Sequence, residues 1–292
     1  MTTVMKAFRV EPRYRTDGDL GVEVEVEGSR LPNLDKFWRT EMDGSLRGES
    51  REYVLAKPMK AEGVAEALQY LDKSYIDAGT VVHESVRAGV HVHVNVQDLT
   101  VVELFNFIVA YIVLEDLLTK YCGEYREGNL FCLRVKDADY LLHMLEKVAD
   151  NKRYELLHTD ILRYAAMNVK SLHTYGSLEF RAMRGTRDLD IINNWANILL
   201  GLREASREFQ NPAELIGWIE ENGSEAFLER FLGDFLPELT KHLKEGYDIT
   251  DGLVRASPLA LHTDWESFKL LDIGGLEFPL GTEFPDAPLE DF

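Results

Sequence analysis

The sequence predicts an α+β fold in which a mainly antiparallel sheet is flanked by helices. From residue 20 to about residue 57, short segments alternate apolar and polar residues and are separated by turn residues, which is typical of antiparallel strands. Segments with helical spacing follow from residue 60 onward. The two kinds of segment do not repeat as regular strand–helix–strand units, so we expect a mixed arrangement rather than a doubly wound parallel sheet.

The first predicted strand is GVEVEVEG, residues 21–28, whose valines share one face and whose glutamates share the other. Three more predicted strands are KFWRTEMDGSL (36–46), REYVLAKP (51–58) and AGVHVHVNV (88–96). The second segment turns at Asp43-Gly44, a strong turn dipeptide, and Pro58 stops the third. Residues 164–183 predict two further strands around a turn.

Helices are predicted over residues 60–77, 100–121, 138–149, 188–208, 211–221 and 224–244. The first is amphipathic and ends near Gly79, a residue that commonly terminates helices. Thr100 and Glu103 have the spacing of a capping box at the start of the second. The apolar stretch 101–114 inside that helix is too short to span a bilayer and contains Glu103, so we expect it to be buried in the protein.

Composition limits the classes of function. The 292 residues carry a formal net charge of −19, which argues against general nucleic-acid binding and against an anionic membrane surface. Cys122 and Cys132 fit no zinc or redox motif, so a reduced, cytoplasmic setting is expected. We predict one domain over residues 1–250 and an acidic extension containing Gly, Pro and Phe over 251–292. The oligomeric state stays open.

Two predicted strands carry polar rows that suggest metal binding. On 21–28 the carboxylates fall on one face, which a solvated edge strand would also explain. His91 and His93 share a face of the strand at 88–96, and imidazole is a common metal ligand. A lone histidine would more simply be core or surface filler, but two of them at this spacing inside a valine strand favour a site.

Two further strands have the same design. In SLEFRAM, Glu179 and Arg181 share a face, which a surface ion pair would also explain. Glu52 lies on the strand that follows the Asp43 turn. If all four strands belong to one sheet, their polar rows converge. Acids with one or two histidines and no cysteine suit Mg²⁺ or Mn²⁺ better than zinc, and arginine suits a transferring phosphoryl group.

Five motifs together resemble a known family: GVEVEVEG, DGSLR…REYV, GVHVHVNV, YREGNLFC and SLEFRAMRGTRD…NNW. In this order and at these distances they are similar to the amidoligase branch of the glutamine synthetase-like superfamily, and to its phage-type members in particular. The resemblance covers residues 20–200. It implies a glutamine synthetase-like catalytic domain with a curved, mainly antiparallel sheet. It also implies an ATP-dependent carboxylate–amine ligase that uses two or three Mg²⁺ (or Mn²⁺) ions.

The resemblance implies specific roles for residues of this chain. The metal ligands would be Glu23, Glu25, Glu52, His91 and Glu179. ATP or its phosphates would be contacted by His93, Arg181, Arg126, Asn129 and Arg163, and substrate by Asn168. Arg181, Glu179 and Glu52 are the residues expected to act in the chemistry. Glu27 has no role in the pattern, so Glu25 and Glu27 could be the metal pair instead of Glu23 and Glu25.

The loop DGSLRGES, residues 43–50, could reach the substrate through Asp43 and Ser45, although a plain hairpin turn explains it equally well. We expect ATP to activate a small-molecule or peptide carboxylate as an acyl phosphate, which an amine then converts to an amide. Two alternatives remain. One is a metal-dependent enzyme of another kind, such as a cupin-like oxygenase. The other is an inactive family member that serves as a binding or virion component.

Overall fold

A computed structural model describes residues 2–241 and 248–270 of the chain. The described part is an α+β structure with one antiparallel sheet that does not close into a barrel, and helices flank it. The predicted fold class is therefore confirmed. The curvature of the sheet and its relationship to glutamine synthetase stay predictions. Most of the predicted extension, from residue 271 onward, lies outside the described residues.

The sheet has seven strands. They are β1 (Leu20–Ser29), β2 (Trp38–Glu41), β3 (Ser50–Leu55), β4 (Val81–His83), β5 (Gly89–Asn95), β6 (Met167–Asn168) and β7 (Ser177–Arg184). The order across the sheet is β2-β3-β1-β5-β7-β6, and β4 pairs with the last residues of β1. The four strands that sequence alternation predicts between residues 21 and 96 are all present. Asp43-Gly44 lies in the turn between β2 and β3, as predicted.

The helices are α1 (Val4–Ala7), α2 (Ala61–Ala78), α3 (Val101–Cys122), α4 (Tyr140–Asn151), α5 (Ser171–Tyr175), α6 (Leu189–Ser206), α7 (Pro212–Leu232), α8 (Leu236–Lys241), α9 (Thr250–His262) and α10 (Ser267–Leu270). The capping box at Thr100 is confirmed, because its hydroxyl accepts from Glu103 N and its own N–H donates to the Glu103 carboxylate. Gly79 ends α2 in the left-handed conformation, as expected. Among the described helices, none combines the length and apolar character that a bilayer span requires.

The core lies between one face of the sheet and the helices. Val22, Val24 and Val26 of β1 are buried on that face, as their alternation predicts. Helix α3 is buried along almost its whole length and packs on β7, where the rings of Tyr111 and Phe180 lie 4.8 Å apart between centroids. With this face covered, the glutamates and histidines of the strands are left on the opposite face.

Three segments differ from the predicted elements. Residues 164–183 form the short strand β6 and β7, but the connection contains helix α5 rather than a simple turn. The predicted helix 224–244 is interrupted at Gly233, whose φ of 44° is strained for residues other than glycine. In the predicted extension, α9 packs against α3. The two helices are so close that a Cβ on Gly252 would lie only 2.3 Å from the Val113 carbonyl oxygen.

Candidate functional site

The strand register gathers the predicted site residues on the polar face of the sheet. Directly paired residues of antiparallel strands point to the same side. Glu25 of β1 pairs with Glu52 of β3, and Glu23 pairs with His91 of β5. His93 pairs in turn with Glu179 of β7, and Glu179 with Asn168 of β6. Residues far apart in the chain therefore form adjacent rows, as the sequence predicts if these strands share one sheet.

The first carboxylate–imidazole cluster consists of Glu23, His93 and Glu179, each offering a ligand atom within 4.8 Å of the others. His93 Nε2 lies 3.5 Å from Glu23 Oε1. Two neighbouring side chains hydrogen-bond to members of this cluster and orient them. Ser177 Oγ lies 3.1 Å from His93 Nδ1, and Asn168 Nδ2 donates to Glu179 Oε2 at 2.6 Å. All three ligand-bearing residues stand on strands, so the backbone fixes their spacing.

The second cluster consists of Glu25, Asp43 and Glu52, whose carboxylate oxygens also lie within 4.8 Å of one another. The N–H of Gly89 donates to Glu25 Oε2 at 2.8 Å, which holds that carboxylate in place. Asp43 belongs to the turn between β2 and β3. Its Oδ1 accepts the N–H of Ser45 at 2.6 Å, so the turn orients the carboxylate toward the strands.

His91 lies between the two clusters. Its Nδ1 is 3.1 Å from Glu23 Oε2 and 3.7 Å from Glu179 Oε1, while its Nε2 is 3.8 Å from Glu25 Oε1. The side chain is only 6% exposed, so it is held among three carboxylates with little water. His93, for which the resemblance implies a phosphate contact, instead shares a potential ligand set with Glu23 and Glu179. The metal and phosphate roles of both histidines stay predictions.

Charge balance differs between the clusters. Burial raises the pKa of Glu23, but hydrogen bonds and positive charge from His91 and His93 outweigh it and hold that pKa well below its usual value. For Glu179, burial also raises the pKa, and the charges of His93, Arg181 and His91 outweigh it, so the pKa is lowered. The first cluster therefore keeps its carboxylates ionised through its own cations.

The second cluster lacks that compensation. Burial raises the pKa of Glu25 despite the opposing charge of His91 and the hydrogen bond from Gly89. Burial together with the charges of Glu23, Glu25 and Asp43 raises the pKa of Glu52 to about 7. Carboxylates that crowd together in this way are stabilised in the ionised form by a cation.

The donor chemistry fits divalent cations that prefer oxygen. The second cluster offers only carboxylate oxygens, which suits Mg²⁺ or Mn²⁺. The first adds one imidazole to two carboxylates, a set that also accepts Mn²⁺. Asp43 was predicted as a substrate contact, and the structure places it among these candidate ligands. Glu27 belongs to neither cluster, because its Oε1 accepts the N–H of Arg47 at 2.8 Å.

Arg181 is a cation of the polar face. It forms an ion pair with Glu179, and its Nε donates to the Phe131 carbonyl oxygen at 3.4 Å. No bond of the described residues uses its Nη2, and the side chain is 20% exposed. This leaves one arm of the guanidinium available to a ligand above the carboxylates.

Arg126, expected from the resemblance to contact phosphate, is 1% exposed and bonds to backbone instead. Its Nε donates to the Ala182 carbonyl at 2.9 Å, and its Nη2 to the Arg181 carbonyl at 2.7 Å. These two carbonyls lie where the β5–β7 register shifts between Val90 and Val92. Arg126 therefore supports the bulge from which Arg181 projects.

Two other predicted contacts lie at the edge of the site or outside it. Asn129 Nδ2 donates to the Val86 carbonyl at 3.0 Å and so joins two loops beside the sheet. Arg163 is exposed and stacks on the ring of Tyr164, 4.6 Å from its centroid. Within the described residues, no hydrogen bond or ion pair links Arg163 to the carboxylate clusters.

Sequence reasoning missed two supporting residues. Ser177 supports His93, and it could have been found because it lies two positions before Glu179 on the same strand face. Gly89 supports Glu25, but only the fold reveals this role. A Cβ on Gly89 would lie 3.2 Å from Arg126 Nη2 and 3.5 Å from His91 Nε2, so the glycine leaves room for both side chains.

Comparison with known proteins gives one match. The sequence model of the family described as "Putative amidoligase enzyme" matches residues 54–202, just over half of the 292-residue chain. The matched segment contains both histidines and the Glu179–Arg181 pair, whereas β1 and Glu52 precede it. No protein with a curated description matches the chain.

Proposed function

The chain belongs to the amidoligase enzyme family, and from this we propose that it is an ATP-dependent ligase that joins a carboxylate to an amine. The observation that carries the proposal is the convergence of two carboxylate clusters and Arg181 on one face of the sheet. Amide formation needs an activated carboxyl group, because a carboxylate is a poor electrophile at neutral pH. Transfer of a phosphoryl group from ATP supplies that activation.

The two clusters are the proposed cation sites. Glu23, His93 and Glu179 would hold one ion, and Glu25, Asp43 and Glu52 another, with His91 between them. Divalent cations bound there would neutralise the charge of the ATP phosphates and of the substrate carboxylate. The support from the chain itself is the raised pKa of Glu25 and of Glu52, which marks a carboxylate set short of positive charge.

The reaction proceeds in two transfers. A carboxylate oxygen bonds to the γ-phosphorus while the bond from that phosphorus to the bridging oxygen of ADP breaks, leaving an acyl phosphate and ADP. The amine nitrogen then bonds to the acyl carbon, the carbon–oxygen bond to phosphate breaks, and the nitrogen gives up a proton that ends on the released phosphate. Arg181 would donate its free Nη2 arm to the equatorial oxygens during the first transfer, while Glu179 and the Phe131 carbonyl hold the guanidinium.

The proposal is tested by incubating the full chain with Mg²⁺, ATP and pooled carboxylates and amines. ADP should form together with a mass equal to carboxylate plus amine minus water. Glu23→Gln and Arg181→Gln should reduce ADP formation at least a hundredfold. Arg153→Gln, which removes an exposed arginine paired with Glu155, serves as the control. Equal ADP formation by all four proteins would refute the assignment of Glu23 and Arg181.

The alternatives predict different results. A cupin-like enzyme would depend on iron and would not bind nucleotide. An inactive binding protein would show neither ADP formation nor calorimetric binding of Mg·ATP. The all-carboxylate cluster of Glu25, Asp43 and Glu52 supports the ligase over the iron enzyme, because such a set prefers hard cations.

A further inference from the structure

Three loops meet at the end of the sheet that carries the second cluster. They are residues 42–48, 84–88 and 127–131. Arg87 Nη1 donates to the Ser45 carbonyl at 2.8 Å, which joins the first loop to the second. Asn129 Nδ2 donates to the Val86 carbonyl at 3.0 Å, which joins the second to the third. We call these joined loops the rim.

The rim presents large apolar side chains to solvent. Met42 is 75% exposed, Leu130 is 74% exposed and Val86 is 63% exposed. Met42 and Leu130 have the highest exposures among the large apolar residues of the described chain. Single exposed apolar residues are ordinary, but Val86 and Leu130 stand on loops that a hydrogen bond joins, and this pair suits an apolar ligand. The Met42 sulfur, by contrast, lies 3.5 Å from Arg51 Nη1.

The rim also carries a cation without an anionic partner. Arg87 is half-buried, and no ion pair joins its guanidinium to a carboxylate of residues 2–241 or 248–270. Two hydrogen bonds connect it to the second cluster, since Ser45 accepts from Arg87 and donates to Asp43. An arginine in this position is well suited to a ligand carboxylate.

We propose that the rim binds the carboxylate substrate, and that this substrate carries an apolar body. Arg87 receives its carboxylate beside Glu25, Asp43 and Glu52, while Val86 and Leu130 contact the apolar part. This deepens the proposed function by naming the substrate class and the end of the site where it binds. An amine is a poorer occupant of this position, because the guanidinium of Arg87 would repel it.

Three probes with one apolar body separate these possibilities: N-acetyl-leucyl-leucine, its neutral C-terminal amide, and leucyl-leucinamide, which carries an amine and no carboxylate. Binding is measured by calorimetry on the full chain with Mg²⁺ present. The free acid should bind at least tenfold more tightly than either other probe. Arg87→Gln should remove that preference, and Val86→Ser or Leu130→Ser should weaken binding about threefold to tenfold.

Two control variants make the result specific. Val254→Ser removes an apolar side chain of similar exposure, 66%, from α9, and Arg153→Gln removes an exposed arginine outside the rim. Neither should change binding. Tightest binding of leucyl-leucinamide, or equal binding of all three probes, overturns the proposal.

The measurement needs no turnover, so it separates this inference from the proposed function. Arg87-dependent binding of the acid without any ADP formation would leave the rim assignment standing and remove the ligase. ADP formation with a carboxylate whose affinity is unchanged by Arg87→Gln would support the ligase and remove the rim assignment.

Discussion

Arg126 and Arg181 are joined by a hydrogen bond from the guanidinium of one to the backbone carbonyl of the other, at 2.7 Å. Because Arg126 also donates to Ala182, it satisfies two carbonyls at the bulge where the β5–β7 pairing shifts register. The buried arginine thus acts through the backbone on the arginine that faces the site.

Replacing Arg126 by methionine should lower the ATP turnover of the enzyme at least tenfold, mainly through kcat, because Arg181 would lose its fixed position. Two buried carbonyls would lose their donors, so the free energy of unfolding should fall by about 2–4 kcal/mol. Turnover and urea denaturation measure the two effects. Arg126→Lys should recover part of both, and a variant that loses stability with normal kcat would show that Arg126 is structural only.

Gly89→Ala should also disturb Arg126, because the added methyl group lies beside the Arg126 guanidinium. The added Cβ would lie 3.2 Å from Arg126 Nη2, 3.4 Å from the Met183 carbonyl oxygen and 3.5 Å from His91 Nε2. We expect a tenfold or greater loss of ATP turnover with a loss of stability of about 1–2 kcal/mol. Gly201→Ala is the matched control, because nothing lies within 4 Å of its Cβ and alanine favours the helix. Equal turnover in both variants would exclude a role for this glycine.

Asp43→Asn should remove one of two cation sites. Electron paramagnetic resonance with Mn²⁺ counts bound ions, and we expect about two per chain in the unmodified protein and about one in the variant. The remaining site should retain its affinity, since Glu23, His93 and Glu179 do not depend on Asp43. Asp160→Asn, at an exposed residue paired with Lys170, should leave the count unchanged. Two ions in Asp43→Asn would place the second site elsewhere.

Glu115 should make stability depend on pH. Burial beside Tyr111 and Asp116 raises its pKa to about 8, although it accepts the N–H of Val135 and lies near Arg134. Above the pKa of the unfolded chain, near 4.5, the folded state binds more protons than the unfolded state. Stability should therefore decrease as pH rises toward 8, by about 1 kcal/mol per pH unit, and level off above that.

The control for this effect is Glu115→Gln, whose amide oxygen can still accept the Val135 N–H, 2.8 Å from the carboxylate in the native chain. Urea midpoints measured from pH 5 to pH 9 should flatten in this variant. The same slope in both proteins would mean that Glu115 does not titrate as its burial implies.

The sequence predicted the part of the site that strands carry. Alternation determines which side chains share a face, and the antiparallel order then sets Glu23 against His91 and Glu25 against Glu52. The sequence left open whether Glu23 or Glu27 is the partner of Glu25 in the metal pair. The structure favours Glu23, because Glu27 is engaged by the backbone of Arg47.

The parts that lie off the strands could not be predicted in the same way. Asp43 enters the second cluster only because the turn between β2 and β3 folds back toward β1. The resemblance implies a phosphate contact for both Arg126 and Arg163, yet Arg126 is buried under a bulge and Arg163 is exposed. Their positions depend on how the segment from 123 to 166 packs, and neither alternation nor spacing encodes that packing.

The two clusters differ in what holds their ligands. Glu23, His93 and Glu179 stand on hydrogen-bonded strands, whereas the second cluster is incomplete until a surface turn delivers Asp43. A cation should therefore bind the strand-borne set without rearrangement of the chain, whereas the other set should fill in a later, slower phase that depends on the turn. Arg87 donates a hydrogen bond to the turn that carries Asp43. A ligand that binds the rim should therefore speed cation binding at the second cluster, so that substrate binding and cation binding are coupled.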